Sequence, residues 1–245
     1  MEVDFDFYTD SRKLNSSQAN ALITACSNEF AVIQGPPGTG KTYTLVNIVN
    51  AYLNMNTGAK ILLCSPSNAE VDATTLRVMQ TILAGVNLVR VYSTIMESYV
   101  VGPLRYVSLS YLAISDGDDP FLKLHVRFLT NDLTAAELNE YKNCMDKLKI
   151  GVLKRANVLC CTANSAGGTL IRPVNLKVGL LTLDEAGQCT VPDSLIPIIR
   201  HFPIKVVLIG DQKQLRPTVL SKEARDRGLI KYGVNNQPWS QTRRT

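Results

Sequence analysis

The chain has 245 residues, enough for one large domain or two small ones, with 45% hydrophobic residues and a net charge of +5. That hydrophobic fraction is ordinary for a soluble globular protein, and no apolar run is long enough to cross a membrane. Glu2, Asp4, Asp6 and Asp10 give the N-terminus the wrong charge for a secretion or transit signal. Six cysteines, at 26, 64, 144, 160, 161 and 189, form no C-x-x-C pair and mostly have apolar neighbours. They read as reduced thiols without zinc, which points to the cytoplasm, the nucleus being the other reducing compartment. From Arg200 to Thr245 there are ten Lys/Arg against three Asp/Glu, an asymmetry that suits a polyanion partner as well as it suits a solvated face.

In chain order, residues 1–11 read as an acidic extension. Leu14-Asn15-Ser16-Ser17-Gln18 opens a helix predicted over 15–27, with Asn15 or Ser16 as its cap. Gln18 carries a side-chain amide, donor and acceptor together, which matches an adenine edge; alone it reads equally as a solvated helix residue. A buried strand over 30–34 follows, then Gly35-Pro36-Pro37-Gly38-Thr39-Gly40-Lys41-Thr42. This octapeptide fits the phosphate-loop pattern. Leu45, Val46, Ile48, Val49, Tyr52 and Leu53 then recur at helical spacing over 41–55, so strand, glycine-rich turn and helix stand in the required order. Glycines let backbone N–H groups approach phosphates, and the helix N-terminus favours an anion. Lys41 is placed for the β- and γ-phosphates, and the Thr42 hydroxyl for Mg2+.

Further strands are predicted over 60–64, 87–92, 157–161, 178–183 and 204–209, and helices over 67–83 and 191–200. Several strands are apolar without alternation, as in a parallel sheet covered on both faces, so the fold class is α/β with a mostly parallel sheet. The stretch from about 94 to 152 breaks the rhythm and reads as a helical insertion. It contains the turn-like Ser115–Pro120 and a helix from Thr134 to Lys149, with Thr134 and Glu137 as a capping box. The strand at 178–183 delivers Asp184 and Glu185. Beside a phosphate loop, the first acid holds Mg2+ and the second orients or deprotonates the attacking water; alone the two are an acidic pair at a strand end. Gly210-Asp211-Gln212-Lys213-Gln214-Leu215 ends the last strand. There Gln214 can meet the γ-phosphate or the water, although the bare sequence also reads as a connecting loop.

Together these segments resemble the superfamily-one helicases, in particular the regulator-of-nonsense-transcripts branch. The matching pieces are LNSSQ (14–18), GPPGTGKT (35–42), CSPSNAEVD (64–72), CCTANSAG (160–167), LDEAGQCTVPDSLIPI (183–198) and LIGDQKQLRP (208–217), in the family's order over about residues 12–220. The resemblance implies a RecA-like P-loop NTPase domain over 12–222 and an ATP-hydrolysing helicase activity using Mg2+. It assigns Gln18 to adenine, and Gly35, Pro37, Gly38, Thr39, Gly40, Lys41 and Thr42 to phosphate and metal. Asp184 goes to Mg2+, Glu185 to water activation and Gln214 to γ-phosphate sensing. Pro66, Ser67, Asn68, Thr162 and Ser165 are placed against the backbone of single-stranded RNA or DNA.

The family usually has DEAAQ, where this chain has Gly187 in the second alanine's place. Residues 223–245 read as a linker toward a second RecA-like domain that this sequence does not encode. Arg243 stands near where the family has its first arginine finger. The expectation is a monomer of low activity in isolation, active in messenger-RNA surveillance. An AAA-type ATPase and a stand-alone nucleotide-dependent binding module are the alternative readings.

Overall fold

A computed structural model describes residues 14–82, 85–97, 99–211, 213–214 and 217. The acidic extension at 1–11 and the segment 223–245 with Arg243 lie outside the described residues. Six strands run parallel in one sheet: β1 (Phe30–Gln34), β2 (Ile61–Ser65), β3 (Leu88–Arg90), β4 (Val158–Thr162), β5 (Leu180–Leu183) and β6 (Lys205–Gly210), in the order β1-β6-β5-β2-β4-β3. Each predicted strand is present; β1 has the predicted bounds, and the others are shifted or shortened by one or two residues at an end. Among the described residues the sheet is parallel throughout.

The run of apolar residues in each strand is split between two faces by the pleat. Ile61 and Leu63 of β2, Leu180 of β5, and Val207 and Ile209 of β6 pack against α1 (Ser16–Ser27), α2 (Lys41–Met55) and α3 (Asn68–Thr81), through Leu22, Leu45, Ile48, Val71 and Val78. Leu62, Leu159, Leu181, Leu183 and Leu208 point the other way, into a core with Leu109, Leu153, Ala163 and Ala166. At about 1.5–3 kcal/mol for each large apolar side chain removed from water, these two layers supply most of the drive to fold. Among the described residues β1 is an edge strand whose one neighbour is β6, and Phe30 and Val32 are exposed on one of its faces.

Between β3 and β4 lies the helical insertion expected from the sequence. It comprises α4 (Thr94–Glu97), a 3-10 turn at Gly102–Val107, α5 (Leu109–Ser115), α6 (Asp119–Leu129) and α7 (Ala135–Arg155). The Thr134–Glu137 capping box forms as predicted, but α7 runs six residues past Lys149. Its last carbonyls are met by Lys60 Nζ, which donates to Lys154 O at 2.6 Å and Ala156 O at 2.8 Å. That bond ties the end of the insertion to the start of β2. α6 is capped by Asp118, whose Oδ1 accepts from the Phe121 amide at 3.0 Å, and its Phe121, His125 and Phe128 stack against Tyr141 of α7.

Arg127 donates to both Glu137 oxygens, at 2.5 and 3.1 Å. These bonds, with those from Thr134, hold the Glu137 carboxyl down at about 2. A depressed carboxylate contributes stability above its ordinary value near 4.5 and loses it as pH falls through about 2. We therefore expect amide protection in α6 and α7 to drop between pH 4.5 and 2 in hydrogen exchange, and Glu137→Gln to flatten that dependence.

Candidate functional site

Because all six strands are parallel, their C-terminal ends share one edge, where loops collect the polar residues. β1 ends in the phosphate loop. Gly35 is buried and donates its N–H to Gly210 O at 3.2 Å, which ties the loop to β6. Gly38 (φ 78°) and Gly40 (φ 80°) take left-handed backbone that other residues enter at a cost. At Gly40 a Cβ would also lie 2.7 Å from Gln18 Nε2. The Thr39 hydroxyl donates to Pro36 O at 2.7 Å and closes the loop on itself. Lys41 and Thr42 then form the first turn of α2, with Gly40 as its cap.

A cleft of about 510 Å³ lies over this loop. Gly35, Gly38, Thr39, Gly40 and Lys41 line it on one side, with Asn15, Ser17, Gln18 and Ala21 of the first helix on the other. Asn15, not Ser16, caps α1. Gln18 Oε1 accepts from the Asn15 amide at 3.1 Å, and Nε2 donates to Thr39 O at 3.0 Å. The Gln18 amide therefore does local work as well, bracing the phosphate loop against α1. One N–H and one lone pair remain for a ligand.

Asp184 ends the β5 line next to the loop, and its backbone N–H donates to Cys64 O at 2.8 Å. The carboxylate is nearly fully buried; Oδ2 accepts from the Thr74 hydroxyl at 3.0 Å and Oδ1 from the Glu185 amide at 3.0 Å. Burial pushes this carboxyl up to about 6, against the pull of the Thr74 bond. Glu185 adopts left-handed backbone (φ 49°, ψ 40°), a conformation that costs a non-glycine residue on the order of 1 kcal/mol and turns its side chain out of the strand direction. There Oε1 lies 3.7 Å from Lys41 Nζ, while Oε2 is buried without a protein partner among the described residues.

The buried Asp184 carboxylate offers the kind of oxygen that Mg2+ takes, and a cation beside it would offset its desolvation. Among the described residues no three His, Cys, Asp or Glu side chains gather as a metal cage.

Gln214 follows β6, its amide donating to Asp211 O at 3.3 Å. It is half-buried and follows the strand that lies between those of the phosphate loop and Asp184, but is outside the wall of the cleft. Thr42 and Pro37 likewise belong to the loop without lining the cleft.

The second group of predicted residues gathers on the same edge. β2 and β4 are neighbours with Ser65 opposite Thr162, so Pro66-Ser67-Asn68 and Thr162–Ser165 leave the sheet side by side. Ser67 is exposed and caps α3, its Oγ accepting from the Glu70 amide at 3.3 Å. Asn68 is turned inward, its Oδ1 accepting from Arg90 at 2.9 Å. The Thr162 hydroxyl donates to Ser165 Oγ at 2.8 Å and caps α8 (Ala163–Ala166). Sequence reasoning missed Thr74, Arg90 and Asp211; of these, Asp211 is nearly fully buried with Oδ2 unpartnered among the described residues.

The departure at Gly187 has a structural reason. A Cβ there would lie 2.9 Å from Asp211 O in the backbone after β6. We expect Gly187→Ala to cost about 1–3 kcal/mol through overpacking, read as a lower thermal midpoint.

Phosphate loop, parallel sheet and an acid pair one strand removed define a P-loop nucleoside-triphosphatase core. The sequence family described as an AAA domain matches residues 13–111 and 129–222, and leaves out a stretch that covers most of α6. Among curated relatives, the regulator of nonsense transcripts 1 homolog of Arabidopsis thaliana is 32% identical over 89% of this chain and 17% of its own length. The ATP-dependent helicase NAM7 of Saccharomyces cerevisiae is 33% identical over 89% of this chain and 22% of its own. The chain thus spans under a quarter of these relatives. A solved structure of a nuclease-deletion mutant of the Type ISP restriction-modification enzyme LlaGI, in complex with a DNA substrate mimic, shares the fold with a TM-score of 0.55 and 14% identity, over 92% of this chain and 19% of that one. The chain belongs to this AAA-domain family, and its similarity to a regulator of nonsense transcripts and to a helicase extends over nine-tenths of its length.

Proposed function

We propose that this chain binds Mg-ATP and hydrolyses it as the first motor domain of a helicase acting on single-stranded nucleic acid, in messenger-RNA surveillance and in the cytoplasm. The observation that carries the reading is the pairing of Lys41 with Glu185 at 3.7 Å across the mouth of a braced phosphate loop. Loop N–H groups and Lys41 hold the phosphates, and Gln18 offers its remaining donor and acceptor to the adenine. Mg2+ held by Thr42 and Asp184 would neutralise charge on the phosphate oxygens. Glu185 accepts the proton of the attacking water once phosphate oxygens draw Lys41 away. Gln214 follows the γ-phosphate from the adjacent strand.

Ser67 and Thr162 with Ser165 meet the nucleic-acid backbone, which needs hydroxyls and amides rather than base readout. Regulators of nonsense transcripts among the relatives support RNA as the track. Lys41 is the one Lys or Arg among the described residues lining the cleft. An added arginine is worth ~10³-fold or more in enzymes of this kind, so turnover by this chain alone is slow and unwinding absent. The test is calorimetry of ADP and a non-hydrolysable ATP analogue, with and without Mg2+, beside steady-state phosphate release. Mg2+-dependent binding in the micromolar range or weaker, with slow release, is expected; no nucleotide binding refutes the reading.

A further inference from the structure

α3 is fixed at both ends of its first two turns by buried, directional bonds, and these lead to the two halves of the site. At its N-terminal end, Arg90 of β3 is completely buried. It donates to Asn68 Oδ1 at 2.9 Å and to Asp72 Oδ1 at 2.8 Å. Asp72 also accepts from the Tyr92 hydroxyl at 2.8 Å, and Arg90 stacks over that ring at 3.9 Å. Asn68 and Asp72 are one turn apart, so the guanidinium grips one face of the helix. Further along, Thr74 sends its hydroxyl to Asp184 Oδ2. The Thr75 hydroxyl is used differently, bonding back to Val71 O at 2.7 Å within the helix. Thr74 is thus the hydroxyl that leaves α3 for β5. Six residues separate Asn68 from Thr74, about 9 Å of rigid helix at 1.5 Å per residue.

We propose that Thr74 is a positioning residue for Asp184, and that α3 transmits to this carboxylate the state of the edge at Ser67 and Asn68. The inference rests on the motor-domain reading above. A strand phosphate settling at Ser67 displaces the capped end of α3. Arg90 confines that displacement to small movements of the helix as a unit, since two of its residues are gripped by one side chain. A helix moving as a unit carries the Thr74 hydroxyl with it, and Asp184 Oδ2 loses or regains its donor. The carboxylate that holds Mg2+ thereby becomes sensitive to nucleic acid without touching it. The coupling is reciprocal, so nucleotide with Mg2+ alters nucleic-acid affinity by the same factor.

Thr74→Val keeps the shape of a buried side chain and removes the donor; Thr74→Ser keeps the donor. The measurement is ADP binding to the full chain by calorimetry as Mg2+ is titrated, with and without a short oligouridine. For Thr74→Val, the Mg2+ midpoint rises about 10- to 150-fold, as expected for one lost hydrogen bond to a charged group, while ADP affinity in chelator stays unchanged. Oligouridine shifts the midpoint of the wild-type chain and of Thr74→Ser, and leaves that of Thr74→Val where it was. A wild-type midpoint in Thr74→Val overturns the positioning role. A raised midpoint that oligouridine still shifts, or a wild-type chain that oligouridine leaves unchanged, overturns the transmission. A wild-type chain whose ADP binding ignores Mg2+ and survives Asp184→Asn unaltered refutes the site itself and not Thr74 in particular.

Discussion

Lys41→Ala removes nucleotide binding, with a loss of about 100-fold or more in affinity by calorimetry. The lysine begins α2 directly after Gly40, and its side chain is only 9% exposed, so its cation sits where little water screens it. Its neighbour there is Glu185, at a distance that leaves room for exchange toward phosphate oxygens. Charge-assisted contacts to two phosphates are worth about 1.5–3 kcal/mol each, and their loss exceeds anything the loop N–H groups can make up. The substitution also leaves Glu185 without its cation. Lys41→Met keeps the stem packed, and should lose binding equally while melting near the wild-type temperature. An isotherm unchanged from wild type would contradict the role given to Lys41.

Glu185→Gln should separate binding from chemistry. The amide keeps the size of the side chain and its left-handed backbone, so ADP and analogue affinities stay within about twofold. It cannot accept a proton, and general-base catalysis is worth about 10²- to 10⁴-fold, so single-turnover phosphate release falls by at least the lower figure. Residual turnover at the wild-type rate would move the base elsewhere, with Asp211 the next buried carboxylate on the same edge.

The strands were legible because each is a short apolar run between turn residues, and a parallel sheet leaves no polar alternation to confuse them. The phosphate loop was legible because its chemistry needs particular residues at fixed spacing. The contacts that arm the site were not. Thr74 is one of two adjacent threonines, and which one turns toward Asp184 depends on the rotation of α3 about its axis. Gln18 was read for adenine, but its bonds to Asn15 and Thr39 follow from how α1 docks on the loop. Arg90 falls inside the strand predicted over 87–92, and only its burial beside Asn68 and Asp72 gives it a task. α6 escaped notice although Phe121, Leu122, Phe128 and Leu129 share one side of it, opposite Lys123 and Arg127, because it is short and follows directly on the turn-like Ser115–Pro120.

The pairing of β1 with β6 has a consequence for biogenesis. Phe30 lies opposite Val206, and among the described residues β1 has no other neighbour in the sheet. On the ribosome the nucleotide loop is therefore made early and held late. Its strand has nothing to pair with until nearly all of the domain, insertion included, has emerged. Closing so long a loop is slow. A nascent chain arrested before β6 would carry every loop residue and still fail to retain ATP.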